Sequence, residues 1–127
     1  MLKIFIGYEP HETVAFHTLV QSILEHASGP VEIIPLGLKM MRGIHHRERD
    51  PLQSNDFTYT RFLVPYLCGY QGRALFMDCD MIFREDPYNI LKHYDGRYAV
   101  HVVKHNYEPR DGVKYLGRQQ YAYPRKN

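Results

Sequence analysis

The chain has 127 residues, of which 44% are hydrophobic and 24% charged, and its formal net charge is +2. This composition predicts a folded chain with a core, and its length fits one small domain. So small a charge argues against a nucleic-acid surface. Cys68 and Cys79 form neither a disulfide framework nor a zinc motif, and no signal peptide or run of 18 apolar residues appears. We therefore expect a cytoplasmic protein without a transmembrane segment.

The first 36 residues predict a strand, a helix and a second strand. Leu2 to Ile6 is an apolar run typical of a buried strand, and Gly7-Tyr8-Glu9-Pro10 forms its exit loop. Apolar residues recur at helical spacing from His11 to Ala27. Val31 to Leu36 reads as a strand in which Pro35 marks an end or a sheet edge. This order predicts a parallel crossover.

A long charged segment follows, at residues 37 to 56. It has no periodicity and is rich in charge, with Arg42, His45, His46, Arg47, Glu48, Arg49 and Asp50 close together. Segments of this length without secondary structure are often functional. Two interpretations stay open: an ordinary solvated loop, or a basic lip over a phosphate-bearing ligand.

The next elements are a broken helix and a strand. Phe57 to Tyr70 shows helical spacing, with a kink or restart expected at Pro65. The apolar run from Arg73 to Phe83 predicts a buried strand interrupted by two carboxylates, Asp78 and Asp80. We expect these carboxylates at the carboxyl end of a central strand.

The remaining pattern is weaker. Asp86-Pro87 is typical of a helix start, with Asp86 as the cap. Tyr98 to Val103 predicts a further strand, in which His101 would be a half-buried core residue. From Lys104 to Asn127 no regular pattern is visible.

Asp78 and Asp80 are the candidate metal ligands. In open α/β sheets, ligands gather outside the carboxyl ends of the strands. Mg²⁺ and Mn²⁺ prefer carboxylate oxygens and take substrate phosphates and waters as their other ligands. A bare Asp-x-Asp more often caps a turn, so its position after a buried strand is what favours the metal site.

Two patches of the sequence resemble glycosyltransferases of the GT-A fold, and within them the family 8 type that uses UDP-hexoses. The stronger is Tyr59-Thr60-Arg61-Phe62 followed, after a helix and turn, by Ala74 to Phe83. It is similar to the family's arginine-bearing helix, strand and Asp-x-Asp motif. The weaker is Ile4-Phe5-Ile6-Gly7-Tyr8-Glu9, similar to the family's opening strand. The two patches with Asp86 to Leu91 span most of residues 1 to 103.

This resemblance implies a mainly parallel GT-A sheet flanked by helices and a UDP-sugar donor. It implies that Asp78 and Asp80 bind Mn²⁺ or Mg²⁺, and that Arg61 meets the donor sugar or its phosphate. The uracil pocket would be lined by Gly7, Tyr8 and Glu9, where the family usually has Asp in place of Glu9. Asp78 and the backbone of Cys79 would approach the ribose, and Arg61 would open onto the same cleft as Asp78.

The resemblance also implies hexose transfer with retention of anomeric configuration, without an assigned catalytic nucleophile. The acceptor, whether a glycan, a lipid-linked glycan or a protein, is not indicated. The family continues with a sugar-binding acid or amide and a histidine metal ligand that have no counterpart before Asn127. We therefore expect an amino-terminal part of the full fold.

Three other interpretations stay open. A non-catalytic UDP-sugar-binding module would keep the nucleotide half of the fold alone. A nucleotidyltransferase also places a metal-binding Asp at a strand end, but its first loop is usually rich in glycine, whereas residues 7 to 12 contain one glycine and two acids. A plain α/β scaffold would require Arg61, Asp78 and Asp80 to be unrelated surface features.

Overall fold

A computed structural model describes residues 1–51 and 53–104, together with the backbone of residues 113–114 and 118–119. The chain forms two compact units, Met1–His93 and Tyr94–Asn127. The first unit contains the parallel sheet and every residue predicted for the site. The single domain expected over residues 1–127 stays a prediction.

The first unit is built on a three-stranded parallel sheet in the order β2-β1-β3. β1 spans Leu2–Gly7, β2 spans Val31–Leu36 and β3 spans Ala74–Met77. The parallel pairing confirms the α/β class and is compatible with a Rossmann-like arrangement. The expectation that the carboxylates follow a central strand is wrong for the described sheet. There β1 is central, and β3 pairs with β1 alone.

The core lies on both faces of β1, because alternate side chains of a strand point to opposite faces. One face packs against helix α1 (Thr13–His26), in a cluster that includes Leu2, Ile4, Ile6, Phe16, Leu19 and Ile23. The opposite face carries Phe5, which packs with Leu36 and Met41. Burying a side chain of this size contributes about 1.5–3 kcal/mol relative to its exposed state. This is why the opening apolar run becomes the middle strand.

The predicted helix between β1 and β2 is confirmed, with a change at its start. Pro10–Glu12 forms a short 3-10 helix, and α1 begins at Thr13. The helix ends at His26, where the Ala27 N–H donates to the Ile23 carbonyl. Pro35 lies in β2, at one edge of the described sheet, where a residue without an N–H is tolerated.

The helix expected from Phe57 to Tyr70 is shorter and broken. A 3-10 helix spans Thr60–Leu63, and helix α2 spans Val64–Leu67. Pro65 lies in the first turn of α2, where its missing N–H costs no helical hydrogen bond. The restart at the proline is therefore confirmed, and the chain changes from one helix type to the other there.

After β3, the predicted cap at Asp86 is confirmed. Its Oδ1 accepts from the Tyr88 N–H at 3.0 Å and from the Ser28 N–H at 3.3 Å. Hydrogen bonds with Ser28, and then with the Tyr88 backbone, lower the pKa of Asp86. The element that follows is a 3-10 helix, Pro87–His93. Asp86 thus starts this helix and also ties it to the segment after α1.

In the second unit, the strand predicted from Tyr98 to Val103 is wrong. Those residues form no strand, and their side chains are exposed. His101 is exposed rather than half-buried, and its Nε2 accepts from the Asp95 N–H at 3.0 Å. Strand formation requires a pairing partner, which a β-prone pattern alone does not supply.

A short antiparallel pair, Val113–Lys114 with Arg118–Gln119, is the other described feature of this unit. The rest of the irregular region expected from residue 105 onward lies outside the described residues. None of the helices in the described ranges is long and apolar enough to cross a bilayer.

One close contact in the first unit is directly testable. A Cβ added at Gly7 would lie 2.4 Å from Cδ2 of the buried Phe57 ring. We expect Gly7→Ala to lower the free energy of unfolding by about 1–3 kcal/mol, because the ring must move within a packed core. Urea denaturation followed by circular dichroism measures the change.

Gly43→Ala is the matched control, since a Cβ there meets no atom within 4 Å. Its effect should be near zero or slightly stabilising. Equal stability of the two variants would contradict the packing of Phe57 against Gly7.

Candidate functional site

The carboxylate pair lies where β3 ends. Met77 is the last residue of the strand, Asp78 follows directly, and Asp80 lies in the next turn. The Asp78 side chain is 37% exposed and Asp80 is exposed. Because β1 and β3 run parallel, with Ile6 opposite Met77, the β1 exit loop and Asp78 leave the same edge of the sheet. Carboxylates at this edge can therefore meet both a ligand and the residues of the first loop.

Arg61 is brought to the same place from the 3-10 helix before α2. Its Nη1 lies 3.6 Å from Asp78 Oδ1. The guanidinium lies over the rings of Phe57 and Phe76, at 5.2 and 5.1 Å from their centroids. Its Nε donates to the Phe57 carbonyl at 3.3 Å. The predicted proximity of Arg61 and Asp78 is confirmed.

The contact between Arg61 and Asp78 positions the two side chains but adds little to the free energy of unfolding. Both side chains are about one-third exposed, at 32% for Arg61 and 37% for Asp78. An ion pair of that exposure contributes about 0–1 kcal/mol. The aromatic surfaces and the hydrogen bond to the Phe57 carbonyl nevertheless hold the planar cation beside the carboxylate. A phosphate arriving at this edge would meet an oriented arginine.

Glu9 is buried, with 3% of its surface exposed, and its carboxylate binds the protein itself. Oε1 accepts from His11 Nδ1 at 2.6 Å and from the His11 N–H at 3.3 Å. Oε2 accepts from the Asp56 N–H at 2.9 Å. Desolvation raises the pKa of Glu9, but these hydrogen bonds outweigh it and leave the pKa below its ordinary value. The carboxylate therefore ties the β1 exit loop to the segment that leads to Phe57.

The uracil contact that the resemblance implies for Glu9 stays a prediction. Both of its oxygens already have protein donors, so any contact with the base would be shared with them. Tyr8 likewise has two contacts within the protein. Its hydroxyl lies 3.2 Å from Thr13 Oγ1, and its ring packs edge-on against Phe16 at 5.2 Å. The place of Tyr8 in the uracil pocket also stays a prediction.

Cys79 is buried, and its thiol donates to Glu12 Oε2 at 3.2 Å. Burial, followed by the hydrogen bond and charge of Glu12, raises the pKa of Cys79 to about 12. The thiol is therefore protonated at neutral pH and acts as a hydrogen-bond donor rather than as a nucleophile or metal ligand. This contact also joins the first loop to the turn between Asp78 and Asp80.

Three residues of this site are not among those predicted from the sequence. His11 and Glu12 contact Glu9 and Cys79, and Asp56 supplies a backbone donor to Glu9. The position of His11 and Glu12 after the first strand was a usable signal, because loops at that strand end hold ligands. No local pattern predicts the contact of Asp56 with Glu9, since the two residues lie 47 positions apart in the chain.

The basic segment also contacts this part of the chain. Arg47 lies over the Tyr59 ring at 3.9 Å from its centroid and lies 3.7 Å from Asp50. Arg49 is paired with Asp56, close to the Glu9 anchor. Both arginines thus have protein partners. Their role as a lip over a phosphate stays a prediction.

Few side chains of the described residues are arranged to hold a cation. Within residues 1–51 and 53–104, no group of three or more His, Cys, Asp or Glu side chains has metal-binding geometry. A metal site at Asp78 and Asp80 stays a prediction, and it would need waters and phosphate oxygens as further ligands, as Mg²⁺ commonly uses with one or two carboxylates.

An open groove of about 810 Å³ lies elsewhere, between α1 and Ile82, Phe83 and Arg84. None of the predicted site residues lines it. This groove is therefore separate from the candidate site at the carboxyl ends of the strands.

The anchor at Glu9 is testable through stability. We expect Glu9→Gln to cost about 1–3 kcal/mol at neutral pH, because a buried acceptor of three hydrogen bonds loses its charge and one oxygen. A folded-state pKa below the ordinary 4.5 means that the wild-type contribution is present above that value and is lost as the pH falls through the folded pKa. Urea unfolding at neutral and acidic pH should show a smaller acid loss in the variant.

Glu25→Gln is the matched control, since Glu25 is an exposed acid on α1 that accepts from Gln21. Its stability should change by less than about 0.5 kcal/mol. If Glu9→Gln behaved like this control at both pH values, the anchoring role of Glu9 would be wrong.

Comparison with known proteins adds one relative. The chain is 41% identical over 127 residues to Protein CDI of Arabidopsis thaliana, an alignment covering 98% of this chain and 49% of that protein. The chain thus spans about half the length of this curated relative. No family model matches the chain, and no solved structure matches it either. The name of this relative states no chemistry.

Proposed function

We propose that this chain belongs to a metal-dependent glycosyltransferase of the GT-A fold, which transfers a hexose from a UDP-sugar to an acceptor in the cytoplasm. The observation that carries the proposal is the contact of Arg61 with Asp78 at the carboxyl end of β3, with Asp80 two residues further on. Two carboxylates and an oriented arginine at such an edge suit the diphosphate of a nucleotide-sugar. The acceptor is a glycan, a lipid-linked glycan or a protein.

Asp78 and Asp80 would hold Mn²⁺ or Mg²⁺. That ion would act as a Lewis acid on the diphosphate, which gains negative charge as it leaves the sugar. Asp78 is already oriented by Arg61 before any ligand arrives. Such preorganisation lowers the reorganisation needed during the reaction. The second carboxylate, Asp80, is exposed and can reach a ligand from the solvent side.

In the proposed reaction, the bond between the anomeric carbon and the diphosphate oxygen breaks, and a bond to the acceptor oxygen forms with retention. The acceptor hydroxyl loses its proton, which the departing diphosphate oxygen can take. Arg61 would add positive charge where the phosphate becomes more negative. Its stacking on Phe57 and Phe76 keeps the guanidinium in place through the step. The proposal assigns no side chain as nucleophile.

The uracil base would bind at the β1 exit loop. The Phe57 ring fills the space that a side chain at Gly7 would take, so Gly7 would meet the base through its backbone. Tyr8 and Glu9 would contribute a ring edge and a carboxylate oxygen beside their protein contacts. The Cys79 backbone, next to Asp78, would face the ribose. Glu9 has a second role as the anchor of this loop.

A non-catalytic UDP-sugar-binding module is the second candidate. The available metal ligands favour this candidate. The described residues offer two carboxylates for a cation and no third protein ligand in metal-binding geometry. Both candidates bind UDP with metal. Hydrolysis of the donor, or sugar transfer, by this chain separates them, since only an enzyme releases UDP from a UDP-hexose.

The proposal makes a direct binding prediction. UDP should bind more tightly with Mn²⁺ or Mg²⁺ than with chelator, and more tightly than ADP or GDP, because the carboxylates need a cation to accept a diphosphate and the first loop selects the base. Isothermal titration calorimetry measures all of these affinities. Equal affinity for the three nucleotides, unaffected by metal, would contradict the proposal.

Asp80→Asn gives the sharpest mutational prediction. The substitution keeps size and turn-forming capacity but removes an anionic ligand, so UDP affinity at saturating Mn²⁺ should fall by about tenfold or more. Stability should be unchanged, because Asn suits turns about as well as Asp.

Asp86→Asn serves as its matched control. Asp86 is a capping residue in the same connection, and Asn caps well. Thermal unfolding and UDP affinity of this variant should both match the wild type. If Asp80→Asn matched it too, Asp80 would be only a turn residue.

A further inference from the structure

A buried carboxylate orients an exposed imidazole on the first loop. Glu9 is 3% exposed, whereas the His11 side chain is 69% exposed. Their contact joins Oε1 of Glu9 to Nδ1 of His11 at 2.6 Å. Within the described residues, the other ring nitrogen, Nε2, has no hydrogen-bond partner. One ring nitrogen of His11 is therefore held by Glu9, and the other is open to a ligand.

The chemistry of the open side follows from the inner contact. An ionised carboxylate can only accept hydrogen bonds, so Nδ1 of His11 is the donor. The same carboxylate fixes the orientation of the ring, as in carboxylate–histidine pairs that orient a reactive imidazole. In the charged form, Nε2–H points outward as a cationic donor. A donor of this kind suits an anionic oxygen.

The position of His11 joins it to the proposed site. Its neighbour Glu12 accepts from Cys79, which lies between Asp78 and Asp80. Its partner Glu9 accepts from Asp56, next to Phe57, on which Arg61 lies. His11 is thus connected to both the carboxylate motif and the arginine, at the sheet edge where ligands bind.

We propose that His11 binds a phosphate oxygen of the nucleotide ligand through Nε2–H, with Glu9 as its positioning residue. This inference rests on the proposed function for the identity of the ligand, but its chemistry requires only an anionic phosphate. The nucleotide diphosphate and free pyrophosphate share that chemistry, so both are used as probes.

The charges around His11 fit this assignment. Three of the nearby acids are engaged: Glu9 by His11 and Asp56, Glu12 by Cys79, and Asp78 by Arg61. Asp56 is paired with Arg49, and Asp80 is exposed. An edge this rich in carboxylates repels phosphate unless a cation faces it. In its charged form, His11 would be such a cation on the first loop.

The first test observes the His11 ring directly. Ring nitrogen and carbon-bound proton resonances, assigned by comparison with His11→Gln, are followed by heteronuclear NMR during titration with UDP, uridine and pyrophosphate. UDP and pyrophosphate should shift the His11 signals, whereas uridine, which has no phosphate, should not. The His26 signals should stay fixed, because His26 lies at the far end of α1.

The second test uses variants. His11→Gln should weaken UDP binding by about tenfold, the size expected for a charge-assisted hydrogen bond, and leave uridine binding unchanged. His11→Lys keeps a cation and should retain most of the affinity. His26→Gln is the matched control and should bind like the wild type.

The outcomes separate the two proposals. If UDP binds with metal but leaves the His11 signals unmoved, and His11→Gln binds within about twofold of wild type, the role of His11 is overturned and the glycosyltransferase proposal survives. If pyrophosphate shifts His11 but UDP shows no metal dependence and no preference over ADP, the nucleotide-sugar proposal fails while the anion site stands. If none of the probes moves the His11 signals, the anion site is overturned.

Discussion

The parallel pairing of β1 with β3 is the constraint on which the rest of the site depends. Ile6 lies opposite Met77, so Gly7 and Asp78 leave the sheet side by side although 70 residues of chain separate them. Parallel strands must be joined by long crossovers, which here contain α1, β2 and α2. The loops after both strands therefore share one edge, and the side chains with useful chemistry are concentrated there.

Glu9 turns this shared edge into a fixed arrangement. Burying a carboxylate is costly unless it is hydrogen-bonded, and Glu9 meets that requirement with donors from His11 and Asp56. One group thus fixes the first loop and the approach of the segment that ends in Phe57. The Phe57 ring then packs on Gly7 and forms part of the surface on which Arg61 lies. Disturbing the anchor should move the arginine as well as the loop.

The acidic side chains of the site have either a structural role or a role in ligand binding. Glu9 and Glu12 accept hydrogen bonds from inside the protein, Asp78 is shared between Arg61 and the solvent, and Asp80 is exposed. A buried carboxylate is held by donors of the protein, whereas an exposed carboxylate can meet a ligand. The same division applies to the cations, since Arg61 is held by aromatic rings while most of His11 is open to solvent.

The sequence by itself determined β1, α1, β2, the restart at Pro65, the strand before Asp78 and the cap at Asp86, because periodicity, proline geometry and capping are local. It also indicated that Arg61 and Asp78 would meet. Only the tertiary structure decided that β1 is central, that Tyr98 to Val103 forms no strand, and that Glu9, His11 and Asp56 are linked. Strand order, pairing and the burial of a charge depend on residues far apart in the chain, which no local pattern records.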